Sequence, residues 1–136
     1  MSVTLRAGSS RFEVGSADFL NAFFSTVCVR LEGQEWGSRF PVLMRELYGG
    51  RMPAAKCAIG LGELEVITRE LEPLPPSDLV WDFEDRGARP PWGDRIAPTI
   101  TSLGNYFGTS DGKPLLEVLR SALELGSNGR IDVVIE

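Results

Sequence analysis

Phe19, Leu20, Phe23, Phe24, Val27 and Leu31 recur every three or four positions, and no other run constrains the fold of this chain as strongly. That spacing puts six large apolar side chains on one stripe of an α-helix, because positions i, i+3, i+4 and i+7 share a face. Burying a phenylalanine or leucine is worth about 1.5–3 kcal/mol, so the stripe has to lie against a core. The rest of the chain must supply the surface that covers it. Ser16 reads as the N-cap of this helix. Asp18 sits in the first turn, where the helix dipole favours an acid, and Gly33 is the stop.

The covering elements can be read on both sides. "VTLRAGSSRFEVG" alternates at period two, with Val3 and Leu5 on one face of a first strand and Phe12 and Val14 on one face of a second. Gly8-Ser9-Ser10 supplies the turn of a β-hairpin. Downstream, "EWGSRFPVLMRELYGG" reads as a helix capped by Ser38, with Pro41 in its first turn, where a missing N–H costs nothing. Its apolar face is Val42, Leu43, Leu47 and Tyr48, Gly49-Gly50 ends it, and Trp36 covers the junction with the preceding helix. Arg39 alone in this phrase lacks such an explanation. It is a surface charge or the partner of a carboxylate, and Asp82 and Glu84 are the candidates.

A third helix is expected from about Pro53 to Leu71, with Ala54, Cys57, Ala58, Leu61, Leu64, Ile67 and Leu71 at helical spacing. Gly60 and Gly62 inside it each cost about 1 kcal/mol relative to alanine. No strand precedes them and no Gly-Lys-Ser/Thr follows, so they mark a close helix crossing or a local break, not a phosphate loop. Pro73, Pro75 and Pro76 end the helix. Leu79–Phe83 then reads as a strand, with Leu79, Trp81 and Phe83 on one face and Val80, Asp82 and Glu84 on the other. Residues 86–100 form a loop whose Trp92 is read first as folded back on the core and second as held out for a partner. Leu103–Thr109 reads as a strand and Ser110-Asp111-Gly112 as a turn. A helix follows, with Pro114 in its first turn and Leu115, Leu116, Leu119, Ala122 and Leu123 on its face. A turn at Gly126–Gly129 leads to a last strand carrying Ile131, Val133 and Ile135. The order β-β-α-α-α-β-β-α-β gives a single α+β domain over residues 1–136. Its sheet is mostly antiparallel, with about five strands, and about four helices pack mainly on one side.

The chemistry open to the chain is narrow. It has no histidine. Serine–histidine and cysteine–histidine nucleophile pairs and imidazole-based zinc sites are therefore excluded. Cys28 and Cys57 lie among apolar residues and read as small buried hydrophobes. The formal charge is −5, and nine acids against three arginines fall between Glu63 and Asp94. Such a balance repels phosphates and attracts basic partners, so direct nucleic-acid binding is not expected. No apolar run approaches the roughly 18 residues of a membrane span, and the N-terminus lacks a basic segment followed by an apolar one. A cytoplasmic protein is expected, with no membrane partner, no metal and no cofactor. Asp82, Glu84 and Asp111 admit a small carboxylate-based or metal-dependent hydrolase as an alternative, and a homotypic structural or regulatory module is another.

Three phrases, in this order and spacing, are distinctive: "FFSTVCVRLEGQEWGSRFPVLMRELYGG", "LPPSDLVWDFEDRGARPPWGD" and "TSLGNYFGTSDGKPLLEVL". Together they resemble the immunity protein 70 family of bacterial polymorphic toxin systems, from about Phe12 to Leu123. Gly60, Gly62 and Gly108 depart from the family's pattern. The resemblance implies a non-enzymatic antidote that binds and blocks the C-terminal domain of a cognate toxin, often a nuclease. Beside it, the acidic segment suggests a surface that steers toward a basic toxin groove. Asp82, Glu84, Asp85, Trp92 and Asp94 are the expected toxin-binding residues. Trp36, Arg39, Pro41, Trp81, Asn105 and Tyr106 are expected to be structural.

Overall fold

Strands β1 (Ser2–Ala7) and β2 (Ser10–Ser16) pair antiparallel through a tight turn at Gly8-Ser9, with Leu5 opposite Phe12. The structure is a computed structural model that describes residues 2–136. Leu5 and Ala7 point into the core while Arg6 between them stays partly exposed, as period-two alternation requires. A bulge interrupts the ladder between Val3 and Thr4. It leaves Val14 and Gly15 both buried, and Gly15 takes φ +129°, a conformation that disfavours a side chain.

Helix α1 (Ala17–Leu31) follows at once, and the Ser16 hydroxyl accepts the Phe19 N–H at 3.1 Å to cap it. The chain leaves α1 through Gly33 at φ +62° and Gln34 at φ +70°. It then forms a π-helical segment, Val42–Leu47, rather than the α-helix expected there. Ser38 does not cap that segment, because its hydroxyl donates to the Glu32 carbonyl. Strand β3 (Arg51–Met52) is two residues long, too short to show a period in sequence. A 3-10 turn, Ala54–Lys56, leads into α2 (Cys57–Leu71), which Gly60 does not break. Helix α3 (Leu115–Gly129) runs four residues further than expected, through the turn predicted at Gly126–Gly129, ends on Arg130 in the left-handed region, and takes Pro114 as its N-cap residue, not inside its first turn. Strand β4 (Val133–Ile135) then pairs antiparallel with both β1 and β3. The sheet order is β2-β1-β4-β3, so the last strand of the chain closes the middle of the sheet.

The architecture is α+β, a four-stranded antiparallel sheet with the helices packed against it. Two expected strands do not form. Residues 79–83 follow a 3-10 turn at Pro76–Asp78 without joining the sheet. Leu103–Asn105 is another 3-10 turn, capped by Ser102 and Asn105, and beyond it only Gly108 bridges to Pro114. Leu103, Tyr106 and Phe107 are all buried, a pattern without the alternation of a strand. The core runs from Leu5 and Val133 on the sheet through Phe23, Phe24 and Val27 of α1 to Leu64 and Ile67 of α2 and Leu119 and Leu123 of α3. Cys28 and Cys57 are both buried and free. Burial, with Glu32 nearby, pushes the Cys28 thiol up to about 11.

Helices α2 and α3 run antiparallel and close together at one end. A Cβ on Gly60 would come 3.7 Å from Leu123, and one on Gly126 would come 2.7 Å from the Cys57 sulfur. The glycine in α2 is thus a close crossing, not a break.

Candidate functional site

Helix α1 is buried on more than its apolar stripe, because Ser25 and Thr26 are fully buried as well. Their hydroxyls take up backbone groups of the segment that crosses them. The Thr26 hydroxyl accepts the Val80 N–H at 3.0 Å and donates to the Val80 carbonyl at 3.1 Å. The Ser25 hydroxyl accepts the Phe83 N–H at 2.9 Å. This explains why residues 79–83 are no strand. Their backbone groups are satisfied by two side chains of a helix, and a buried backbone needs only one set of partners. It also reverses the expected faces, since Val80 is buried while Leu79, Trp81 and Phe83 are half-exposed. Substituting Thr26→Val is expected to strand both polar groups of Val80 and to cost about 2–3 kcal/mol, read as a shift of the urea midpoint. An unchanged midpoint would mean that water replaces the hydroxyl.

Beyond Phe83 the chain makes turns that present its charges outward. Asp82 folds onto its own backbone by accepting the Glu84 N–H at 3.0 Å, and Asp85 accepts the Gly87 N–H at 3.2 Å. Glu84, Asp85 and Asp94 are exposed, and Asp82 is half-buried. None of the four has an ion-pair partner within 4.0 Å among the described residues. The same loop carries Arg86, Arg89 and Arg95, all exposed, so it presents both signs of charge. Trp92 is folded back on the core. Its ring meets Phe19 and Trp81 edge-on at 5.5 Å each, and its indole N–H donates to the Tyr106 hydroxyl at 2.8 Å. Trp81 stacks on Phe19. Burial pushes the Tyr106 phenol up despite that hydrogen bond.

The loop ahead of the π-helical segment is built around two glutamates that sequence reasoning did not single out. Glu32 is 5% exposed and accepts the N–H groups of Gly37, Arg39 and Phe40 at 2.9–3.0 Å. Glu63 of α2 accepts those of Val42 and Leu43. The carboxylates take up the free N–H groups around the helical start at Pro41 that Ser38 was expected to help satisfy. Burial raises the Glu63 carboxyl above its ordinary value, against the two hydrogen bonds. Trp36 lies against Tyr48 and Phe83, and its indole N–H donates to the Met44 carbonyl. Arg39 does not meet Asp82 or Glu84. Its guanidinium makes two 2.7 Å hydrogen bonds to Glu70 and a third to the Leu31 carbonyl. That pair, with side chains 43% and 39% exposed, draws the Glu70 carboxyl below its ordinary range. The proposed contact carboxylates are therefore not consumed by Arg39. Pro41 precedes the π-helical segment and is exposed. Asn105 ties the approach to α3 by accepting from Thr101 and Ser102 and donating to the Thr99 carbonyl.

A groove of about 1130 Å³ opens between α2 and α3, closed at one end by residues 104–108 and 112–114. Tyr106 lines it and, through its hydroxyl, also holds Trp92. The carboxylates of the hydrolase alternative do not gather. Asp82 lies in the segment that crosses α1 and Glu84 just after it, whereas Asp111 is held by Thr109 and Lys113 before α3. Among the described residues no three acids or cysteines are placed to hold a metal ion, and no helix is long and apolar enough to cross a membrane.

No curated protein and no solved structure matches the chain. A family model does, that of immunity protein 70, over residues 5–135, from within β1 to the end of β4. Proteins of this kind are typically inhibitors, not enzymes. The chain belongs to the immunity protein 70 family and is an immunity protein of a polymorphic toxin system.

Proposed function

We propose that this immunity protein acts in the cytoplasm, where it binds the C-terminal domain of its cognate toxin, a nuclease, through the loop that follows Val80. Asp82, Glu84, Asp85 and Asp94 face the basic groove with which such a domain grips phosphates, and Trp92 backs them. The observation that carries this reading is the placement of the acids. Glu63 and Glu70 are engaged within the fold, whereas Glu84, Asp85 and Asp94 are exposed and unpaired among the described residues. The loop is fastened to α1 and to Tyr106, so little ordering is lost when a partner docks. The net charge of −5 supports long-range attraction to a basic domain, and the arginines of the same loop supply local pattern.

The direct test is co-expression with the C-terminal domain of the adjacent toxin, scoring survival and co-purification together. Survival with a stable complex supports the antidote reading. Death, with both proteins soluble and separate, removes it. The double substitution Glu84→Lys with Asp85→Lys is expected to slow association about tenfold or more at low salt and to abolish protection. An unchanged association rate in a folded double variant would move the contact to another face.

A further inference from the structure

We propose that the groove between α2 and α3 receives a basic segment of the toxin domain, one that presents an apolar face to the groove floor. The inference rests on the toxin-binding reading and assigns the partner a second point of contact. The floor is apolar, with Leu61 and Leu64 from α2, Leu116 from α3 and Phe107 from the closing loop. A volume of about 1130 Å³ has room for several side chains, and two antiparallel helices with an apolar cleft are a common seat for an amphipathic segment.

The rims decide the sign of the occupant. Glu65 on α2 and Glu72 at its C-terminal end stand seven residues apart and flank Arg69, while Glu117 and Glu124 stand seven apart on α3 and flank Arg120. None of these four glutamates has an ion-pair partner within 4.0 Å among the described residues. Lys113 at the closed end already faces Asp111 at 3.7 Å. Even with each arginine balancing one glutamate, the rims keep an excess of two carboxylates. A lysine or arginine on either side of an apolar stretch complements that arrangement, whereas an acidic peptide or a phosphate is repelled. Tyr106 also links the groove wall to the loop. The Tyr106 hydroxyl accepts from Trp92 while the same residue lines the groove.

The test uses the co-purified complex with a catalytically inactive toxin domain. Glu65 and Glu117 are both exposed, one on each rim. The double reversal Glu65→Lys with Glu117→Lys is expected to weaken binding about tenfold or more at physiological ionic strength, and the neutral pair Glu65→Gln with Glu117→Gln about threefold. Backbone amides of residues 104–117 should exchange more slowly in the complex than in the free protein. The neutral pair carries the measurement if the reversal does not fold. Binding within twofold of the parent for both variants, without slowed exchange, overturns the groove while leaving the antidote reading intact. Loss of a homodimer instead of loss of toxin binding also overturns it, in favour of a second copy as the occupant. A parent protein that fails to hold the toxin at all overturns both readings, and the Glu84/Asp85 variant measured alongside separates the two surfaces.

Discussion

Replacing Glu32 by alanine is expected to destabilise the fold by about 3–5 kcal/mol, the largest effect of any single side chain off the apolar core. The carboxylate is nearly sequestered from water and is the acceptor for three consecutive-loop N–H groups, those of Gly37, Arg39 and Phe40. Removing it leaves three donors without partners, and a buried donor left unsatisfied costs about 1–3 kcal/mol. Part of that cost is recovered if the loop opens to water, which is why the expected total lies below the sum. Glu32→Gln keeps one acceptor oxygen and should cost less than half as much. Urea denaturation measures both, and amide exchange at the three positions should accelerate with alanine before the rest of the chain is affected. A loss under about 1 kcal/mol with unchanged exchange would show that the loop is held from elsewhere, by Trp36 on the Met44 carbonyl and by Arg39 on Glu70.

This clamp marks where the sequence stopped being readable. Glu32 follows the apolar stripe of α1 and precedes Gly33, a position at which a glutamate ordinarily faces solvent. Nothing in its spacing distinguishes it from Glu35 three residues later, which is exposed. Only the path of the chain, turning back through Gly33, Gln34 and Gly37 with positive φ, brings the N–H groups onto it. The α-helical expectation for Val42–Leu47 fails for a related reason. The apolar face of that segment is real, with Val42, Leu43 and Leu47 buried, but burial does not discriminate between i+4 and i+5 bonding over six residues.

Elements with long periodicity were legible. The hairpin, α1, α2 and α3 each repeat an apolar signal over enough positions to identify the type and most of the buried face, although Ala58 of the expected α2 face is exposed. Short apolar runs were not. Residues 79–83 look like a strand because Leu79, Trp81 and Phe83 alternate with Val80 and Asp82, yet Ser25 and Thr26 claim their backbone groups. Those two polar residues in the middle of an apolar helix were the available signal, since a buried hydroxyl must find a partner. Helix α3 overran its expected end because Gly126 looked like a stop. In the fold it is a contact surface. For the candidate site, exposure of Glu84 and Asp85 could not be read from composition, and neither could the groove, which depends on how α2 and α3 diverge from their close crossing.

That crossing sets up a sharp contrast between chemically identical substitutions. Gly126→Ala is expected to destabilise by about 2–3 kcal/mol, even though alanine is the better helix former by about 1 kcal/mol. A Cβ at this position would lie 2.7 Å from the Cys57 sulfur, 2.8 Å from a Val133 methyl and 2.9 Å from the Ile131 carbonyl oxygen. The last of these is backbone, held by the chain reversal in which the Ile131 N–H donates to the Gly126 carbonyl at 3.0 Å, so it cannot turn aside as a side chain would. Relief requires α3 to move away from both α2 and β4. Gly60→Ala is the milder case, because its tightest neighbour is the terminal methyl of Met52, at 2.9 Å, and methionine re-rotates readily. At Gly62 the sign reverses. It is exposed in α2 with no atom within 4 Å of the added methyl, so Gly62→Ala should stabilise by about 0.5–1 kcal/mol through helix propensity and a less flexible unfolded chain. Urea midpoints for the three variants should therefore fall in the order Gly62→Ala, Gly60→Ala, Gly126→Ala, from most to least stable. Equal midpoints for Gly126→Ala and Gly62→Ala would mean that the two helices slide freely past each other. The groove they frame would then not be a fixed feature that a partner could recognise.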